Sequence, residues 1–166
     1  LVGETPLSAE DYAILGDLYD AEVAWADALV GRVVDALERA GIGDDTIVIV
    51  MSDHGEHLGE HDKTDHIATM YDPALHVPLV IRYPRGFKPG TRVDAPVSIV
   101  DVAPTVLQLC KASDQAPRLR ADETSLANPA RTSQGFVLAG NERPLTGIKL
   151  LQTRYPGYDW TAIDYR

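Results

Sequence analysis

Cysteine is the scarcest informative residue in this chain. Cys110 stands alone, which excludes an intrachain disulfide framework and any thiolate metal cluster. Its setting, Val106-Leu-Gln-Leu-Cys110, is apolar with helical spacing and predicts a buried structural thiol. A lone thiol is compatible with a cytoplasmic setting. Long apolar runs are lacking too, and none approaches the ~20 residues of a membrane span. The first residues have neither the basic start nor the apolar block of a secretory leader. They do not include a starting methionine, which predicts a processed product or a fragment. Positive charge is short: 15 Lys and Arg face 25 Asp and Glu, for a formal net charge of −10. This deficit argues against nucleic acid or an anionic membrane as partner, because both require a basic surface. Asp outnumbers Glu and only four lysines occur, a surface suited to a high-salt interior where screening removes self-repulsion.

What is present is an ordinary globular composition, 45% hydrophobic and 24% charged over 166 residues, enough for one domain with a core. Ser8 and Asp11 stand in capping-box positions. Leu15, Tyr19, Val23, Ala26, Val30, Val33 and Leu37 then recur at spacings of three and four, one apolar stripe of a long helix that Gly41 ends. Thr46 to Met51 is continuously apolar and β-branched, which predicts a strand covered on both faces. A loop over 52–65, a helical turn near 68–75 and a second strand over 77–82 follow. Beyond a turn region the pattern predicts a short strand at 93–97, a helix over 98–111, an exposed loop over 113–132 and a strand at 136–139. No internal repeat is present. This order predicts an α/β architecture with a largely parallel sheet flanked by helices. In such sheets ligands gather at the carboxyl ends of strands.

The chemistry is concentrated where the first strand ends. All five histidines (His54, His57, His61, His66 and His76) fall in one short segment, beginning directly after Asp53. Asp53 and His54 can turn to one cation just beyond the strand, and Gly55 lets the backbone swing away. A carboxylate with an imidazole suits Zn, Mn or Fe, and a carboxylate supplemented by oxygens suits Ca or Mg; the bland alternative is a polar turn. His57-Leu-Gly-Glu-His61 matches an inverted zinc-peptidase pattern formally, but that motif requires a helix, which Gly55 and Gly59 weaken. His57 is accordingly expected to be a solvated loop histidine. His61, Lys63 and His66 form a cationic or proton-donating trio that could hold an anionic oxygen or protonate a leaving group, with Lys63 as a plain surface charge otherwise. His76, ahead of Val77-Pro78, is expected to serve packing or surface.

Ser52-Asp-His-Gly-Glu56, Leu58-Gly-Glu-His61, Tyr71-Asp-Pro-Ala-Leu75, Val77-Pro-Leu-Val-Ile81 and Asp94 to Thr105 together resemble the C-terminal half of the sulfatase catalytic domain. Sulfatases are α/β hydrolases of the alkaline-phosphatase superfamily, and the likeness covers roughly residues 12–110, several blocks in order. The resemblance implies hydrolysis of a small-molecule or glycan sulfate ester. A formylglycine hydrate attacks sulfur, one divalent cation (Ca or Mg, with Mn suited to His54) polarises the sulfate oxygens, and basic residues hold the anion. Asp53 and His54 match the second pair of metal ligands. The family's usual pair is Asp-Asn, and Asp-His is seen in relatives resembling phosphonate monoester hydrolases. A phosphonate monoester or phosphodiester hydrolase on the same scaffold is therefore the alternative within enzymes. His66 falls where the family commonly has a lysine on the transferred group, and His61 lies on the same loop. The nucleophile motif, Cys-x-Pro-x-Arg or Cys-x-Ala-x-Arg, is missing, since Cys110 is followed by Lys-Ala-Ser-Asp. The first pair of metal aspartates is missing as well. Residues 1–166 are thus expected to be an internal fragment of one sulfatase-like catalytic domain, without its nucleophile portion and C-terminal subdomain, and inactive alone. A non-catalytic metal- or anion-binding module is the alternative from another class.

Overall fold

Helix α1 (Ala9–Arg39) begins and ends as its terminal residues dictate. Ser8 and Asp11 close the capping box: Asp11 N–H donates to Ser8 Oγ (3.2 Å) and Ser8 N–H donates to Asp11 Oδ2 (2.8 Å). The same Ser8 bonds, side chain first, hold the Asp11 carboxyl below its usual range. At the other end Gly41 N–H donates to Glu38 O and Ile42 N–H to Leu37 O, with Gly41 at φ 68°, a Schellman stop. The computed structural model describes residues 6–66, 69–116, 118, 125–128, 139, 153, 154 and 156. Among them, no helix is long and apolar enough to cross a membrane.

The apolar surface of α1 is wider than the stripe read from the sequence. Leu15, Val30 and Leu37 of that stripe are half-buried, while Tyr19, Val23 and Val33 are exposed. A second row, Ile14, Leu18, Trp25 and Leu29, lies beside it at i, i+4, i+11 and i+15, with Trp25 61% exposed. No residue of the helix is fully buried.

The described residues of 1–15, 54–77 and 138–166 form one compact unit. It holds the first turns of α1, the hairpin of β2 (His57–Leu58) and β3 (Thr64–Asp65), and the short helix α2 (Asp72–Leu75). β2 and β3 pair antiparallel with His57 opposite Asp65. The expected loop over 52–65 therefore contains a hairpin, and α2 occupies only the end of the helical turn expected at 68–75.

The described residues of 16–53 and 78–137 form the second unit. Its sheet pairs β1 (Val48–Met51) with β4 (Leu79–Arg82), Val48 opposite Arg82 and Met51 opposite Leu79. The two strands run antiparallel, so the expected largely parallel sheet is not what the described residues form. A parallel pair needs a helical crossover, and the segment between β1 and β4 carries only the four-residue α2 as α-helix among the described residues. Nor is β1 covered on both faces here, for its residues are half-buried and Met51 is exposed. Arg82 ties β4 to the end of α1: one guanidinium nitrogen donates to Gly43 O and the other to Glu38 Oε1, both at 2.7 Å.

Ser98 opens the next helix with a second capping box to Asp101, through a 3₁₀ turn (Ile99–Asp101) into α3 (Val102–Leu109). Residues 93–97 are not a strand; Pro96 has no N–H to offer a neighbour. Cys110 is exposed rather than buried, at the C-cap of α3. The stretch expected to be an exposed loop over 113–132 is anchored at Ser125, which is fully buried, and the strand expected at 136–139 falls largely outside the described residues.

Buried Thr105 joins two backbones of this unit. Its hydroxyl donates to Asp101 O (2.6 Å) and accepts Leu126 N–H (2.8 Å). Thr105→Val keeps the shape and strands both groups, so it is expected to cost about 1–3 kcal/mol. For a chain of this size that is a fall of about 2–12 °C in unfolding midpoint. A calorimetric scan of the variant measures it; an unchanged midpoint would show the hydroxyl to be idle.

Candidate metal and anion site

β1 delivers the chain to Ser52 and Asp53, and Asp53 is exposed just past the strand end. At Gly55 the backbone runs against α2. Gly55 N–H donates to Ala74 O at 2.8 Å, and a Cβ on residue 55 would lie 1.9 Å from Pro73 O. Only glycine permits this approach. His54, exposed, has Nδ1 2.9 Å from Gly55 O. A carbonyl only accepts, so Nδ1 carries the proton and the neutral ring's lone pair lies on Nε2.

The next residues place a second imidazole on the first. The rings of His54 and His66 stack with centroids 3.8 Å apart and planes at 23°. His66 Nδ1 lies 3.0 Å from Glu56 Oε2 and 3.2 Å from Asp65 Oδ1, and donates toward these carboxylates. Among the described residues, Glu56, Asp65 and His66 have ligand atoms within 4.8 Å of one another, close enough to share one cation in place of the His66 proton; Asp53 and His54 are not in that set. Oxygen-rich with one imidazole, it has the donor chemistry of a Ca, Mg or Mn site.

His57 departs most from expectation. Expected as a solvated loop histidine, it is 1% exposed. Its Nε2 bonds Thr69 Oγ1 at 3.0 Å, and Thr69 Oγ1 also accepts Tyr71 N–H at 3.5 Å. The ring meets Tyr71 and His61 edge-on, at 6.1 and 6.2 Å between centroids. His61 and Tyr71 in turn stack at 3.8 Å and 14°. Because His57 lies on a strand and His61 in a 3₁₀ turn, the helical peptidase arrangement does not form.

The turn of this hairpin is held in an uncommon conformation. His61, Asp62 and Asp65 all have positive φ, at 58°, 56° and 81°. Such non-glycine residues cost of order 1–3 kcal/mol each and persist where surroundings over-determine them. Here Gly59 N–H donates to Lys63 O (2.9 Å), and the Glu60 carboxylate accepts Leu58 N–H (2.8 Å). Bonds from the backbone at Leu58, then Glu60, hold the Glu60 carboxyl below its usual range. Tyr12 lies on Gly59, its ring 2.8 Å from where a Cβ would stand. Lys63 sits half-buried in this turn, and His76 is exposed at the end of α2, the surface role expected for it.

The structure thus joins His54 to His66 and His61 to Tyr71 and His57. Glu56, though part of a family block, and Asp65 and Thr69 carry no local mark of these roles, which depend on the hairpin register and on the return of the chain from residue 66 to Tyr71.

The family model described as Sulfatase matches residues 14–112. The chain is 38% identical over 138 residues to an arylsulfatase of Volvox carteri, covering 81% of this chain and 21% of that protein. It is 36% identical over 104 residues to arylsulfatase K of Xenopus laevis (63% and 19%). With an endo-4-O-sulfatase of Bacteroides thetaiotaomicron it shares 35% identity over 99 residues (60% and 19%). The chain spans about a fifth of the length of these curated relatives. No solved structure matches it. A model match over more than half of its length, running through α1, β1 and the Asp53-His54 pair that follows the strand, shows that the chain belongs to the sulfatase family.

Proposed function

We propose that this chain is part of the catalytic domain of an enzyme that hydrolyses sulfate esters, and that it contributes the second half of the metal and anion site. The observation that carries this reading is the family match running through β1 and the histidine loop that follows it. In this reading the chain is the C-terminal half of an α/β domain of alkaline-phosphatase type, and β1 joins a largely parallel sheet with strands from the rest of that domain. The formylglycine nucleophile and the first pair of aspartates come from that remainder. The substrate is a small-molecule or glycan sulfate ester.

Asp53 and His54 would hold one divalent ion, Ca or Mg, with Mn suited to the imidazole. The His54 proton on Nδ1 supports this, because it leaves Nε2 in the form a metal ligand needs. The ion, when bound, polarises the sulfate oxygens. His66, oriented by Glu56 and Asp65, faces the transferred group as a hydrogen-bond donor, and His61 assists at the ester oxygen.

Parallel assays of an aryl sulfate and an aryl phosphonate with the full-length enzyme test the proposal. Sulfate is expected to be the preferred ester. Preferred turnover of the phosphonate would move the enzyme to the phosphonate hydrolases on this scaffold. Binding of a divalent ion with no turnover of either would leave a binding module.

A further inference from the structure

Among the described residues, His57 is buried in a way that its packing alone does not explain. It is one of the largest fully buried side chains, yet only Nε2 is satisfied, by Thr69; Nδ1 is buried with no hydrogen-bond partner. A buried polar atom left unpaired costs free energy that an apolar ring of similar shape would not incur. The apolar choice would make the better core, so the imidazole must do something that packing alone does not require.

Its contacts say what. Nε2 holds Thr69 Oγ1, the atom that also receives Tyr71 N–H, so the imidazole fixes the approach of the chain to Tyr71. The edges of the His57 ring then meet both members of the His61–Tyr71 stack. His61 has a left-handed backbone, which needs outside support to persist. One buried ring thus braces the exposed histidine through two routes, a hydrogen bond and two ring edges.

We infer that His57 is a positioning residue: through Thr69 and Tyr71 it sets the ring of His61 at the anion site. This rests on the role proposed above for His61, but the positioning itself is independent of it.

The test compares His57→Phe with His57→Gln. Stacking on Tyr71 displaces the His61 ring-proton resonances, and these are read by NMR on the 166-residue chain, with unfolding midpoints alongside. Kinetics are measured on the full-length enzyme with an aryl sulfate. In His57→Phe the His61 displacement is expected to collapse while the midpoint stays level or rises. kcat should fall about tenfold, typical of groups that orient a ligand from behind, with KM within about twofold. Gln, whose amide can reach Thr69, should recover part of both. Unmoved His61 resonances would overturn the inference, as would a kcat loss that merely follows a lower midpoint. If the unsubstituted enzyme shows no sulfatase turnover but the displacement still collapses, the functional reading fails and the positioning stands.

Discussion

Asp53→Ala in the full-length enzyme is expected to abolish retention of the divalent ion and to lower sulfate-ester turnover by about a thousandfold or more, the several kcal/mol a Lewis-acidic ion supplies. Folding should be nearly untouched, because Asp53 is exposed beyond the end of β1 and lies in neither helix nor strand. Metal content after dialysis and kcat on an aryl sulfate check the two halves of the statement separately. If the ion is lost but turnover survives, the metal is structural. If both survive, the cation is held elsewhere, and Glu56, Asp65 and His66 become the set to substitute next.

The second large effect is on the backbone. Gly55→Ala would place a methyl 1.9 Å from Pro73 O and 3.0 Å from its carbonyl carbon. No side-chain rotation relieves a clash with main chain, so the loop and α2 must separate and the Gly55–Ala74 bond must stretch or break. Overpacking of this kind costs on the order of 3 kcal/mol, which for a chain of this size lowers the unfolding midpoint by about 6–12 °C. Calorimetry of the purified variant measures this. A midpoint within a degree of the unsubstituted protein would mean that the loop and α2 part freely. His54 follows Asp53 and precedes Gly55, so the same change should also weaken ion retention without altering any ligand.

Much of this was legible in the residues. The cap at Ser8, the stop at Gly41 and the strand ending at Met51 are local effects, and local signals were enough to read them. What failed depended on neighbours far along the chain. Strand direction is set by which strand arrives beside β1, which periodicity within Val48–Met51 cannot reveal. His57 looks polar and solvated in a row with Glu56 and Glu60, yet the pairing of β2 with β3 and the return through Thr69 bury it. Cys110 keeps its helical bond to Val106 O at the end of α3, yet among the described residues nothing packs over it, and its exposure depends on which elements reach that helix end.

Tyr12 resting on Gly59 has a consequence for motion. The first turn of a helix frays readily, and local opening there breaks only the Ser8–Asp11 bonds and the Tyr12 N–H bond to Ser8 O. Each such opening lifts the tyrosine from the hairpin turn that carries His61. The backbone bonds of that turn, Gly59 N–H to Lys63 O among them, then lose their cover of aromatic ring, so the loop bearing the histidines is coupled to a helix end more than forty residues earlier in the chain.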